Sequence, residues 1–210
     1  ARSANFYASL AEGNIVPRWA ANLNWGYGHP ILMFLYPLPS YVASLFHALG
    51  FSFVDSTKLV FAVSFVASMA CMFVWVRAAW GLTAGVTAAV LYGFAPYRFV
   101  DLYVRGAIGE HIAFVFPPLI CYGLLLLSQE KRHVLLKGFT IVTLGTTFLI
   151  LGHNALSLMF LPLIAIYGLY LAIGETKKPL QFVMVAVGGV VFGFLLSAFY
   201  WVPAFFEGKY

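Results

Sequence analysis

Leu59–Val76 reads LVFAVSFVASMACMFVWV, eighteen positions without a charged side chain. At 1.5 Å per residue such a run approaches the ~30 Å hydrocarbon core of a bilayer. Backbone polar groups in lipid must be satisfied internally, which leaves a helix or a closed barrel. A barrel strand alternates apolar and polar residues, and this run does not. Comparable segments at Thr83–Ala95, Ile112–Ser128, Val134–Leu151, Ala155–Ile173 and Phe182–Trp201 bring the expected number of spanning helices to six. Of 210 residues, 62% are apolar and 9% charged, with a mean hydropathy of +0.91. The chain reads as all-α, a polytopic transmembrane helical bundle.

Charge supplies an orientation. Arg77, Lys131, Arg132, Lys137, Lys177 and Lys178 fall in or beside the loops Arg77–Leu82, Gln129–His133 and Gly174–Pro179. Six spans put these loops on one face, which the positive-inside rule makes cytoplasmic. Phe51–Thr57, Pro96–Glu110, Gly152–Asn154 and Pro203–Tyr210 then lie on the extracytoplasmic face. The net charge of +5 is spread over short loops, the pattern of a membrane protein and not of a nucleic-acid binder. Cys71 and Cys121 sit within apolar runs, as small core residues do, and no metal-ligand spacing is present.

Residues 1–58 read as a first external loop with interfacial helices, and residues 59–210 as the bundle. The chain begins Ala-Arg-Ser, and an upstream spanning helix is expected before it. Pro30–Gly50 is interrupted by Pro37 and Pro39. Its Tyr, Phe and Pro content fits an interfacial helix, with a spanning helix as the alternative.

Four polar constellations stand out. Asn5–His29 carries Glu12, Arg18, Trp19, Trp25, Tyr27 and His29 among glycines. Flat rings and amides suit a sugar, and equally an aromatic belt at headgroup level. Pro96–His111 (PYRFVDLYVRGAIGEH) gathers Arg98, Asp101, Arg105, Glu110 and His111. On a helix, Arg98, Asp101 and Arg105 share one face as a local ion-pair network, or an arginine fork binds phosphate. His153 stands in a turn between two spans, as a ligand or proton carrier, or beside Asn154 acting as a helix cap. Ser197–Glu207 is rich in aromatics, as a membrane anchor is. No P-loop, GxSxG, HExxH or CxxC string occurs. Most ionisable residues fall near helix ends, which disfavours a transporter with charges at the midplane.

Glu12-Gly-Asn-Ile-Val-Pro-Arg-Trp19, Asn24-Trp-Gly-Tyr-Gly-His-Pro30, Phe34-Leu-Tyr-Pro-Leu-Pro39, the run from Ala95 to Glu110, His153-Asn154 and Ser197-Ala-Phe-Tyr-Trp-Val-Pro203 occur in this order. The set resembles the bacterial membrane domain labelled "6-pyruvoyl-tetrahydropterin synthase-related", over nearly the whole chain. That domain is in turn similar to the GT-C superfamily of membrane glycosyltransferases. The resemblance implies a large first external loop with interfacial helices and a polyprenyl-phosphate-linked sugar as donor at the extracytoplasmic face of the bacterial inner membrane. No cofactor and no metal are expected, since the sequence shows no obvious metal site. The acidic general base is expected upstream of Ala1, so the catalytic residue is unknown here. Arg98 and Arg105 are the expected phosphate ligands, with Asp101 and Glu110 orienting them or binding sugar hydroxyls. Trp25, Tyr27, His29 and His153 are expected to line the sugar or acceptor pocket. A lipid flippase or other transporter, or a structural membrane module, is the alternative.

The orientation is directly testable. A phosphatase reporter that is active only outside the cytoplasm is expected to be active when fused at Asn154 and inactive when fused at Glu175. The reverse pattern would refute it.

Overall fold

The computed structural model describes residues 1–130 and 132–208. Lys131, counted above among the basic loop residues, lies outside them, as do residues 209–210 and the side chains of Arg132 and His133. The described residues are all-helical apart from one isolated antiparallel pairing of Ala20 with His29.

The long helices are α4 (Phe53–Trp80), the stretch Ile108–Ser128 made of α7 (Ile108–Ala113) and α8 (Phe116–Ser128), α9 (Arg132–Gly152), α10 (Asn154–Gly174) and α11 (Pro179–Leu196). These five are long and apolar enough to cross a membrane. α4 begins at a capped turn: Ser52 Oγ accepts from the Asp55 amide at 3.1 Å and donates to Asp55 Oδ2 at 2.7 Å. It ends at Gly81, whose φ of +92° suits a residue without Cβ. Pro179 opens α11, where its fixed φ is favourable and its missing N–H costs nothing.

The sixth expected span is not found as one helix of spanning length. Thr83–Ala95 corresponds to α5 (Leu82–Gly93), twelve residues or about 18 Å, too short for the hydrocarbon core. The chain breaks at Phe94–Ala95, resumes in α6 (Pro96–Phe99) and passes into a π-helical turn, Val100–Arg105. The C-terminal expectation shortens as well, because Phe182–Trp201 is divided at Ser197 between α11 and α12 (Ala198–Glu207).

α8 is the centre of the bundle. Ile120, Leu124 and Leu127 pack with Val142 and Leu149 of α9 and Ile164 and Leu171 of α10. In contrast, α4, α10 and α11 keep wide apolar faces open, including Val63, Val66, Leu163, Ile166, Val187 and Phe192. Such faces suit lipid, because soluble surfaces rarely carry contiguous apolar patches of that size. Trp75 Nε1 donates to Tyr167 Oη at 3.0 Å, joining α4 to α10 near one end. At that same end Glu130 accepts from the Lys178 amide at 2.7 Å, joining two of the basic loops.

The opposite end carries the N-terminal segment. α1 (Arg2–Ala11), α2 (Ile31–Phe34) and α3 (Leu38–Ala48) are all too short to span. Phe6 is buried against Ala20 and Leu32, and Asn5 Oδ1 accepts from the Asn22 amide at 2.8 Å. Tyr200 Oη donates to the Phe34 carbonyl at 3.2 Å, tying this segment to α12.

Close helix approach depends on small residues. A Cβ at Gly193 of α11 would lie 2.6 Å from Thr146 Cβ and 2.9 Å from the Thr143 carbonyl of α9, whereas at Gly188 the nearest atom, on Phe139, is 3.7 Å away. Gly193→Leu is therefore expected to destabilise the bundle by about 1–3 kcal/mol. Gly188→Leu should change little. Thermal unfolding in detergent, monitored by helix signal, distinguishes them, and equal midpoints would refute the packing argument.

Candidate functional site

The broken segment between α5 and α7 builds a polar site inside an apolar bundle. Arg98 of α6 is 3% exposed. Its Nη2 donates to Ser68 Oγ at 2.9 Å. Its guanidinium lies over Phe114 at 4.7 Å, Phe65 at 5.6 Å and Tyr92 at 5.7 Å. Three ring faces offer a cation partial negative charge where no water is needed. Ser68 lies fifteen residues into the 28-residue α4, about 22 Å along a helix of about 42 Å. The guanidinium therefore sits at mid-height of the longest apolar helix.

Asp101 and Arg105 sit in the π-helical turn, which closes at Gly106 in the left-handed region with φ +57°. Arg105 Nη1 donates to Tyr97 Oη at 2.6 Å, to Glu110 Oε2 at 2.9 Å and to Asp101 Oδ1 at 3.4 Å, and its Nη2 donates to Glu110 Oε1. Tyr97 Oη donates in turn to Glu110 Oε2 at 2.6 Å. The Arg105 side chain is 44% exposed, whereas those of Glu110 and Asp101 are 9% and 0% exposed. Two sheltered carboxylates thus hold one cation at the mouth of the site. A bidentate arginine–carboxylate pair is among the stronger polar contacts available.

His111, next in sequence, is fully buried, with its ring edge-on to Phe61 at 5.2 Å and parallel to Phe65 at 6.1 Å. Its Nδ1 lies 3.8 Å from Asp101 Oδ2. Asp101 therefore turns one oxygen to the mouth and the other to the interior.

The N-terminal segment closes one side. The Tyr36 ring lies against Gly109, at a position where any Cβ would collide with it. It also packs on His153 with centroids 4.7 Å apart. A cavity of about 130 Å³ between this segment and the bundle is lined by Tyr36, Arg2, Ser3, Ser40, Thr57 and Ile108 among others. Arg2 lines this cavity beside Tyr36. His153 Nδ1 accepts from the Leu156 amide at 3.2 Å, capping α10. That bond requires an unprotonated Nδ1. Burial keeps the imidazole below its ordinary pKa, against the pull of the Glu110 charge.

Of the residues expected from sequence, Asp101, Arg105 and Glu110 come together, with His153 close by. Two expectations are corrected. Arg98 does not share a face with Arg105; the π-helical turn rotates the chain between them, and Arg98 points inward. Trp25, Tyr27 and His29 do not line the arginine site. They stand on a loop closed by the Ala20–His29 pairing, where Trp25 is 97% and Tyr27 83% exposed. The cap of α10 is His153, while Asn154 Oδ1 accepts only from the Ala155 amide. Arg2, Tyr36, Ser68 and Tyr97 belong to the site and carried no sequence signal beyond residue type. Among the described residues no three His, Cys, Asp or Glu side chains are placed to hold a metal ion.

Comparisons with known proteins give little. No family model and no solved structure matches the chain. A protein of Lactococcus lactis subsp. cremoris, described as "Uncharacterized protein", is 24% identical over 211 residues, covering 97% of this chain and 34% of the relative. The chain thus spans about a third of the length of the relative it matches.

Arg105 and Glu110 are energetically coupled on this geometry. Arg105→Met is expected to destabilise the protein, because two sheltered carboxylates lose their cation. Adding Glu110→Gln should recover part of that loss. Unfolding midpoints of the two single variants and the double variant measure the coupling, and strictly additive losses would refute it.

Proposed function

We propose that this chain is part of a GT-C-like membrane glycosyltransferase, or a non-catalytic relative, that engages a polyprenyl-phosphate-linked sugar at the extracytoplasmic face. The observation that carries this reading is the half-exposed Arg105, held at the mouth of the bundle by sheltered carboxylates. A planar guanidinium matches phosphate geometry bidentately. An arriving phosphate competes with Glu110 for the same fork and takes the charge that develops on a leaving phosphate in sugar transfer. Arg2, across Tyr36, is placed to add a second positive charge. Arg98 is removed from the phosphate role by its burial. Trp25 and Tyr27, on their exposed loop, remain available to stack on a sugar presented from the membrane surface.

One observation favours a second reading, a transporter. Arg98, Asp101 and His111 lie at the depth of the mid-part of α4 beside a broken helix, the arrangement in which transporters place their sites. Flux measured beside sugar transfer in proteoliposomes separates the two.

The decisive substitution for the first reading is Arg105→Gln in the full-length protein in nanodiscs. Loss of a charge-assisted contact is expected to weaken binding of a polyprenyl-phosphate sugar on the order of 10- to 100-fold. Unchanged affinity in a monodisperse variant would sink the assignment.

A further inference from the structure

Two buried side chains have roles that the lipid-phosphate reading does not use. Asp101 Oδ2 and both ring nitrogens of His111 have no hydrogen-bond partner, although both residues are 0% exposed. Buried polar atoms are nearly always paired, and each exception calls for a cause. The 3.8 Å between Asp101 Oδ2 and His111 Nδ1 is too long for a hydrogen bond. It is short enough that closure by about 1 Å would make one. With the ring hydrogen on Nε2, Asp101 Oδ2 and His111 Nδ1 are both acceptors, and the pair lacks a hydrogen between them.

We propose that Asp101 and His111 form a buried proton-binding site, in which one proton taken from the aqueous mouth joins Asp101 Oδ2 to His111 Nδ1. The balance is simple. The carboxylate gains one proton, becomes neutral, and donates to the unprotonated Nδ1; the pair goes from one negative charge to none. Arg98, also inside the bundle, favours this placement over an imidazolium, because a second cation beside it would be repelled. Arg98 is held by three rings and Ser68 Oγ, while its Nε and Nη1 have no hydrogen-bond partner.

The remaining charged and titratable groups fix the direction of coupling. Arg105 and Glu110 face Asp101 from its own turn and from α7, with Tyr97 bridging them. Tyr36 faces the set from the N-terminal segment, and His153 from the start of α10. Tyr92 of α5 stands on the far side of Arg98. α4 presents Phe61, Phe65 and Ser68. When Asp101 is ionised, Arg105 is shared between two carboxylates. When Asp101 is protonated, Arg105 is left to Glu110 and Tyr97, and its fork is freer for an anion. The proton is thus a device that sets how tightly the mouth is latched. The buried pair itself stands whether or not the anion is a lipid phosphate.

Infrared difference spectra of the full-length protein in nanodiscs, taken between roughly pH 5 and 8, read the proton directly. A carboxylic-acid band is expected at low pH that moves on isotopic labelling of aspartate and is absent in D101N. In H111Q its midpoint should fall by about one pH unit, a tenfold weaker hold on the proton. No aspartate band in the wild type, persistence of the band in D101N, or an unchanged midpoint in H111Q each overturns the proposal. If D101N fails to fold, the labelled wild type against H111Q decides. Because no lipid ligand is added, failure here leaves the phosphate assignment standing, and failure of that assignment leaves the proton site standing.

Discussion

A guanidinium that is 3% exposed at mid-height of an apolar helix has to be solvated by protein. This constraint organises the middle of the chain. Arg98 is reached only because α5 stops at twelve residues and the backbone turns at Phe94–Ala95. A continuous helix from Leu82 would carry residue 98 onward to whatever face its periodicity set, with no means of turning it inward. The break frees backbone groups that lipid could not satisfy, so it is tolerated only where protein, here α4 and Phe114, lies beside it. Phe114, at the junction of α7 and α8, serves both needs. Its carbonyl accepts from Tyr92 Oη at 2.7 Å, tying it to α5, and it offers its ring to Arg98.

From that anchored point the chain leads outward through Asp101 to Arg105. The π-helical turn is the geometric device. It adds a residue to the turn and so shifts the register by which side chains choose faces. Arg98 and Arg105 consequently serve different surroundings, one dry and aromatic, the other half in solvent. Glu110, at the third position of α7, closes the loop, favoured there by the helix dipole. Gly109 beside it leaves room for the Tyr36 ring, through which the N-terminal segment is locked onto the bundle.

Much of this was legible in sequence. Leu59–Val76, Ile112–Ser128, Val134–Leu151 and Ala155–Ile173 fall within the long helices, because charge-free runs of that length have few alternatives. The grouping of Asp101 with Arg105 was legible too, since i,i+4 spacing survives a wide turn. The inward course of Arg98 was not. It depends on a helix break and a π-helical turn, and neither has a propensity signal beyond Pro96. The composition of Asn24–His29 named residues that bind sugars without saying which way their loop faces. Tertiary contacts decide that, here Ala20 with His29 and Phe6 with Leu32.

The two arginines also explain why one aspartate can be left half satisfied. A buried carboxylate with a single long contact to Arg105 at 3.4 Å is poorly compensated. Its position gives it a use that an apolar residue lacks. It is the one side chain of the cluster that faces both the wet clasp at Arg105 and the dry pocket at His111. A change of charge at that carboxylate is therefore felt on both sides, at Arg105 as a lost partner and at His111 as a gained one. Positions along this turn differ in exposure over a single helical turn, and it is that gradient, set by the mid-height anchoring of Arg98, that makes Asp101 a connection between surface and interior.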